Sequence, residues 1–283
     1  MPLTFEAYPA NSLPPELRLG ALSTPDPMRV ALFTGSAAVT GFAINEGMRR
    51  AWWRGDRRSL HFAEDRRYAR DLDKLGHVYA GYAASLISYR VVNWTGLSEN
   101  RSAWYGATLG LLFQLYVEIQ DGFATDWGFE RYDMAGNILG TVYFLARHYI
   151  PVLKYTGLKF SYYPSARYGT PKGDEGIWTD VAQSWVDDYE GQTYWLSFKA
   201  GDAAADYLSA PSWMRFFNIA LGWSLTDFRR EWEWYLALDW NMEAMPGSNW
   251  YLRRFWELFD LIKLPAPAVR LAPDGAVWFG IYF

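Results

Sequence analysis

The chain has 283 residues, 51% of them hydrophobic and 19% aromatic, with 16 Trp, no Cys and a formal net charge of -4. That length suits one large domain or two ordinary ones, and the aromatic load excludes global disorder. Without cysteine there are no disulfides and no thiolate-ligated zinc or iron–sulfur centres, and 27 basic against 31 acidic residues give no basic excess for nucleic acid as a main partner.

Residues 1–28 are aperiodic and carry Pro2, Pro9, Pro14, Pro15, Pro25 and Pro27, which predicts an extended arm. From Arg29 the pattern is helical. Four apolar stretches stand out, Val30–Ile44, His77–Tyr89, Ser102–Val117 and Ala135–Ala146, each shorter than the roughly 18 apolar residues of a plain spanning helix. Gly106 with Gly110, and Gly136 with Gly140, have the GxxxG spacing that lets helix backbones approach closely. Glycine inside a water-exposed helix costs about 1 kcal/mol against alanine, so these positions need a packing reason. Tight helix contact within a bundle and embedding in a membrane both supply one. A helical bundle of membrane-like, small-residue-rich helices is therefore expected over 29–155.

Beyond residue 156 the period changes to two. In Phe217–Leu225 and Glu231–Met242 large apolar residues alternate with small or polar ones, and the short Thr226–Arg230 connection predicts an antiparallel hairpin. Shorter strands are expected at Leu158–Tyr163, Thr193–Lys199, Ala268–Leu271 and Ala276–Phe283, with helices at Ile177–Asp188 and Trp250–Ile262. A half-buried sheet covered by helices shows this alternation, and so does an outer-membrane barrel with apolar residues outside. The predicted fold class is α+β, the bundle being followed by an aromatic-rich antiparallel β half over 156–283 that holds 11 of the 16 Trp.

The chemistry-bearing residues border the apolar helices. Asp73 and His77 are four apart and share a helix face. Glu118 and Asp121 close an otherwise uncharged helix, and Asp133 opens the next, with Asn137 four residues on. If the segment 77–92 runs one way and 102–117 returns through a loop around Trp94–Arg101, all three segments bring these groups to one end of the bundle. Concentrated carboxylates need a counter-charge, which Lys74, Arg131, a proton or a divalent cation could supply. His77 with carboxylates suits a transition metal; the oxygen ligands alone suit Mg, Mn or Ca. The metal-site candidates are Asp73, His77, Glu118, Asp121 and Asp133, and the first four are also the catalytic candidates. Structural roles compete with this: Asp133 as a helix N-cap, Glu118 and Asp121 as a solvated helix end, His77 bonded to a backbone carbonyl.

The run Asp73-Lys74-Leu75-Gly76-His77, then Glu118-Ile119-Gln120-Asp121-Gly122, then Trp127-Gly128-Phe129 with Asp133, Asn137 and Gly140 resembles the YfiM-type family of bacterial envelope lipoproteins. The helical core is more distantly similar to VanZ-like membrane proteins, which carry an Asp-Lys…His motif and a later Asp…Asn…Gly helix start. The resemblance covers roughly 50–150 and implies an envelope location without implying a reaction. This sequence has no cysteine to take a lipid, so the lipoprotein anchor of the family is not expected here.

Residues 49–74 hold nine Lys or Arg and five acids. Were the flanking helices embedded, the positive-inside rule would place that loop in the cytoplasm, whereas the resemblance implies the periplasm or outer membrane. Two functions of different class follow. The first is a non-enzymatic, membrane-associated envelope protein whose cluster is structural or binds a cation, with lipid and an envelope protein as partners; an outer-membrane barrel component or a subunit of an envelope complex is a variant of it. The second is an envelope hydrolase of a lipid or phosphate ester, with a cation held by Asp73, His77, Glu118 and Asp121 and one carboxylate or His77 as base. No GxSxG, P-loop or HExxH pattern is present to support other hydrolase or nucleotide chemistry.

Overall fold

Each of the four apolar stretches forms a helix that extends past its uncharged centre: α1 (Pro27–Ala51), α2 (Leu72–Trp94), α3 (Glu99–Phe123) and α4 (Arg131–Tyr149). The computed structural model describes residues 24–51, 53, 55–64, 68–166, 168, 185–186, 188–227, 231–272 and 275–282. The predicted arm up to residue 23, and the predicted helix Ile177–Asp188 except Trp185, Val186 and Asp188, lie outside them. The α2–α3 connection is tighter than expected. Gly96, at φ 100°, takes the left-handed conformation that ends α2, and its N–H donates to the Asn93 carbonyl at 3.0 Å.

The glycine pairs explain how the helices fit. A Cβ added to Gly106 would lie 2.5 Å from the Tyr89 backbone nitrogen, and one on Gly110 would lie 2.6 Å from that of Ser85, so α3 runs antiparallel to α2 with its backbone against it. On the other flank Gly136 meets Lys74 and His77, and Gly140 meets the backbone of Val78 and Tyr82, so α4 runs parallel to α2. The inward stripe of α3 consists of Ser102, Ala103, Gly106, Ala107, Gly110, Gln114 and Glu118, all small or polar. Its outward stripe carries Trp104, Tyr105, Leu112, Phe113, Tyr116 and Ile119. Small residues inside and large apolar ones outside is the pattern of helices packed in lipid.

The C-terminal half is a six-stranded antiparallel meander of β3 (Thr156–Tyr162), β4 (Gln192–Phe198), β5 (Phe217–Asp227), β6 (Glu231–Trp240), β7 (Ala266–Ala272) and β8 (Gly275–Tyr282), hydrogen-bonded in sequence order. Two short strands, β1 (Phe62–Ala63) and β2 (Phe129–Glu130), pair parallel beside the bundle. Of the two helices in this half, α5 (Ala200–Leu208) was not foreseen, and α6 (Trp250–Phe259) falls within the predicted span. The strands arrive in the expected register, and their faces are inverted relative to a water-exposed sheet. Glu233, Tyr235, Ala237 and Asp239 of β6 are buried, while Trp234, Leu236 and Leu238 are exposed. The polar interior is paired: Lys159 Nζ lies 2.8 Å from both Asp239 and Asp260, and Arg270 Nη1 lies 2.8 Å from Glu233. Helices cover only part of the apolar face, where Tyr79 of α2 stacks on Phe160 and Tyr194 at 5.6 and 6.1 Å.

Because Gly140 leaves no room for a methyl group against α2, Gly140→Ala should destabilise the fold by about 1–3 kcal/mol. Gly35→Ala, on α1 with nothing within 4 Å of the added carbon, should leave the denaturation midpoint unchanged or raise it slightly.

Candidate functional site

Three helix ends and one strand end meet at a single charged cluster. The chain enters α2 through Ala69, Arg70 and Asp71, which all take left-handed backbone angles, with φ 43°, 51° and 65°. For non-glycine residues such angles cost of order 1–3 kcal/mol each, so the turn is held by its surroundings; Ala69 and Leu72 are fully buried against Leu225 of β5. This turn places Asp73 and Lys74 in the first turn of α2 and His77 in the second. The β1–β2 pairing sets Glu130 at the start of α4, one helical turn before Asp133. The antiparallel return of α3 brings Glu118 alongside.

The cluster divides into two sets that share Asp133. In the first, the Lys74 ammonium lies 2.7 Å from Asp73 Oδ2 and 2.6 Å from Asp133 Oδ1 and is also paired with Glu130. In the second, His77 presents Nδ1 to Glu118 Oε1 at 3.4 Å and Nε2 to Asp133 Oδ2 at 3.4 Å. Asn137 lies beside both partners, its Nδ2 donating to Glu118 Oε1 at 3.2 Å and its Oδ1 3.2 Å from His77 Nδ1. The ligand atoms of His77, Glu118 and Asp133, and likewise those of Asp73, Glu130 and Asp133, all lie within 4.8 Å of one another.

Four of the five sequence candidates, Asp73, His77, Glu118 and Asp133, are thus brought together. Asp121 stands to one side, where its Oδ1 accepts from the Trp53 indole at 2.6 Å. The particular structural roles foreseen for Asp133 and Glu118 differ from those found. Asp133 is the third residue of α4 rather than its cap, Glu118 is 1% exposed rather than solvated, and the His77 ring lies between the Glu118 and Asp133 carboxylates. Arg131, a candidate counter-charge, pairs instead with Glu64 on the surface. Glu130 was missed, since a two-residue strand leaves no periodicity to find.

Burial sets the protonation of this cluster. It pushes the Glu118 carboxyl up to about 9, with the Asp133 and Asp121 charges adding to the effect. Asp121 rises to about 7, mainly through burial, which outweighs the Trp53 hydrogen bond. Glu130 rises to about 8, again by burial, against the pull of Lys74. Burial works against the Lys74 charge, yet the Asp73 and Asp133 carboxylates prevail and hold the amine protonated far above its ordinary value.

Beside the cluster lies a cavity of about 540 Å³ between bundle and sheet. Asp73, His77, Asp121 and Asp133 form its polar side, and Tyr79, Phe113, Val117, Phe160, Trp185 and Tyr194 its apolar walls. Convergent polar groups within an apolar concavity are the usual form of a small-molecule site.

Residues 61–147, less than a third of the chain, match a family described as predicted periplasmic lipoproteins, DUF2279. The matched segment runs from β1 to the last turn of α4 and contains every cluster residue; α1 and the six-stranded sheet lie outside it. That description agrees with the cell-envelope, membrane-associated and periplasmic location expected from the sequence. No curated protein and no solved structure matches the chain.

Lys74 is the countercharge of three buried carboxylates, so Lys74→Met should cost about 3 kcal/mol or more in chemical denaturation, whereas Arg131→Met, which breaks an exposed pair, should cost under ~1 kcal/mol. The raised carboxyls hold protons in the folded chain that they lose on unfolding. In metal-free buffer, stability should therefore fall as pH rises from about 5 through about 9, by ~1.4 kcal/mol per pH unit for each proton involved. Glu118→Gln should flatten that slope.

Proposed function

We propose that the chain is a membrane-associated protein of the cell envelope that holds a divalent cation between His77, Glu118 and Asp133. The observation that carries this is the convergence of those three groups, from three different helices, on the polar side of an otherwise apolar cavity. The neighbouring Asp73, Glu130 and Asp133 set already has a cation, the Lys74 ammonium. The His77 set shares Asp133 with that group, and burial leaves Glu118 holding a proton that a metal would displace. One imidazole nitrogen with two carboxylates suits zinc, manganese or iron better than magnesium or calcium. Asn137, bonded to Glu118 and beside His77, would orient both ligands. The YfiM-type and VanZ-like motifs belong to the same proposal, since Asp73, Lys74, His77, Asp133 and Asn137 are all part of this constellation. Membrane attachment is supported by α1, whose stretch Pro27–Arg50 is long and apolar enough to cross a membrane and is not buried in the fold.

A second function, metal-dependent hydrolysis of a lipid or phosphate ester, is favoured by the apolar walls beside the cluster. Asp121 lines the cavity, and its proton affinity near neutrality suits a general base.

Metal analysis and calorimetric titration with Zn²⁺ and Mn²⁺ test the first function. Stoichiometric binding is expected, weakened ~10-fold or more by Glu118→Gln and by Asp133→Asn, with circular dichroism unchanged. No metal, or equal binding by the parent and both variants, would reject it. Metal-dependent release of fatty acid or phosphate from phospholipid vesicles, lost in Asp121→Asn while metal stays bound, would establish the hydrolase.

A further inference from the structure

The outward face of the sheet has an order of its own. Along β5 and β6 the outward residues pair in four rows: Trp223 with Trp234, Leu221 with Leu236, Ile219 with Leu238, and Phe217 with Trp240. The two middle rows are aliphatic. The two end rows are aromatic, with ring centroids 5.4 Å apart for Trp223 and Trp234 and 5.5 Å for Phe217 and Trp240. On β4 the two middle rows continue through Leu196 and the aromatic Phe198, and on β7 the Leu221–Leu236 row continues through Val269. No outward position from Trp232 to Trp240 on β6, or from Phe217 to Leu225 on β5, carries a charge. From Trp234 to Trp240 is six residues, about 20 Å of strand, which fits within the ~25 Å apolar band that aromatic girdles bound on lipid-embedded sheets.

The inward face is the converse. Lys159 and Asp239 are 1% exposed, whereas Leu236 and Leu238 are 51% and 48% exposed. In water this arrangement is unfavourable on both counts: it desolvates charges inside and leaves a contiguous apolar patch outside. Against lipid both objections vanish. The charges are paired within, and the outer side chains meet acyl chains. The backbone edge of β3 is also covered, since Phe160 N–H donates to the Leu261 carbonyl at 3.0 Å and Lys263 N–H donates to the Phe160 carbonyl at 2.9 Å, which leaves fewer open polar groups facing an apolar phase.

We propose that the outward face of β4–β7 is seated in the acyl region of a membrane, with the Trp223/Trp234 and Phe217/Trp240 rows at its two polar boundaries. Layering is what selects lipid over a second copy of this chain as the occupant. A protein interface requires complementary shape and has no need of aromatic rows at both ends of an aliphatic band, whereas a bilayer is itself layered in that order. This placement stands independently of the cation site.

The chain contains no cysteine, so single-cysteine variants of the full chain report one position each. Ile219→Cys, Leu236→Cys and Leu238→Cys lie on the band, and Ser59→Cys lies on an exposed bend beside the bundle. Each is labelled with an environment-sensitive fluorophore and placed in phosphatidylethanolamine/phosphatidylglycerol vesicles. Brominated acyl chains should quench the three band labels about twofold or more and leave the Ser59 label unchanged. Band labels that stay water-exposed and unquenched would overturn the proposal. So would disulfide crosslinking of Leu238→Cys between copies without bromine quenching, which would assign the face to a second copy. Metal binding at His77 is unaffected by any of these variants, so the two proposals fail separately.

Discussion

Two glycines from each neighbour allow α2 to lie between α3 and α4 with backbones nearly touching. Gly106 and Gly110 accept Tyr89 and Ser85, and Gly136 and Gly140 accept the backbone from Lys74 to Tyr82. At these glycines there is room for no side chain, and the large core residues Tyr82, Leu86, Tyr89 and Phe144 pack beside the contacts. Alanine, serine and threonine fill the seam, as where the Ser85 hydroxyl donates to the Gly81 carbonyl at 2.7 Å. Large apolar side chains of α3 are consequently directed outward, and polar groups gather at the end of the seam where α2 and α4 begin. The exposed apolar surface and the buried charged cluster are thus two consequences of one packing constraint.

Asp133 links the two halves of the cluster. One oxygen meets Lys74 and the other meets His77, so the charge on either cation is felt by the same carboxylate. Five carboxyl groups, Asp73, Glu118, Asp121, Glu130 and Asp133, face one lysine and one histidine. Burial resolves the imbalance by leaving protons on carboxyls, even on Glu130 beside Lys74, and Glu118 is raised furthest. A divalent cation at the His77 set would relieve the same imbalance without those protons. Were the proposed cation bound, it would supply the positive charge that protons supply in its absence.

How much of this could be read from the sequence depended on periodicity. The helices and strands announced themselves through spacings of 3.6 and 2, and the GxxxG pairs named the residues that form the seam. The antiparallel return of α3 then placed Asp73, His77, Glu118 and Asp133 together, because the α2–α3 connection is short enough to leave only one arrangement. Glu130 was invisible, since it reaches Lys74 through a two-residue parallel pairing between segments some 67 positions apart (Phe62 with Phe129). Which face of β6 is buried was equally undetermined: strict alternation fixes that Leu236 and Tyr235 point to opposite sides and says nothing about which side meets solvent. That was settled by long-range pairing, when Lys159 on β3 found Asp239 on β6 and Asp260 beyond α6.

The bundle and the sheet meet at the end that bears the tryptophans. Leu72 and Ala69, at the start of α2, pack with Leu225, Trp232, Tyr194 and Trp127, and the phenolic oxygen of Tyr194 lies 2.8 Å from where a Cβ on Gly76 would be. Tyr194 pairs with Trp223 across β4 and β5 and also forms a wall of the cavity. The cavity's apolar side is therefore continuous with one aromatic boundary of the outer band, while its polar side is the cluster. With the band in lipid, that boundary lies at the headgroup level, where an amphiphile has its polar end.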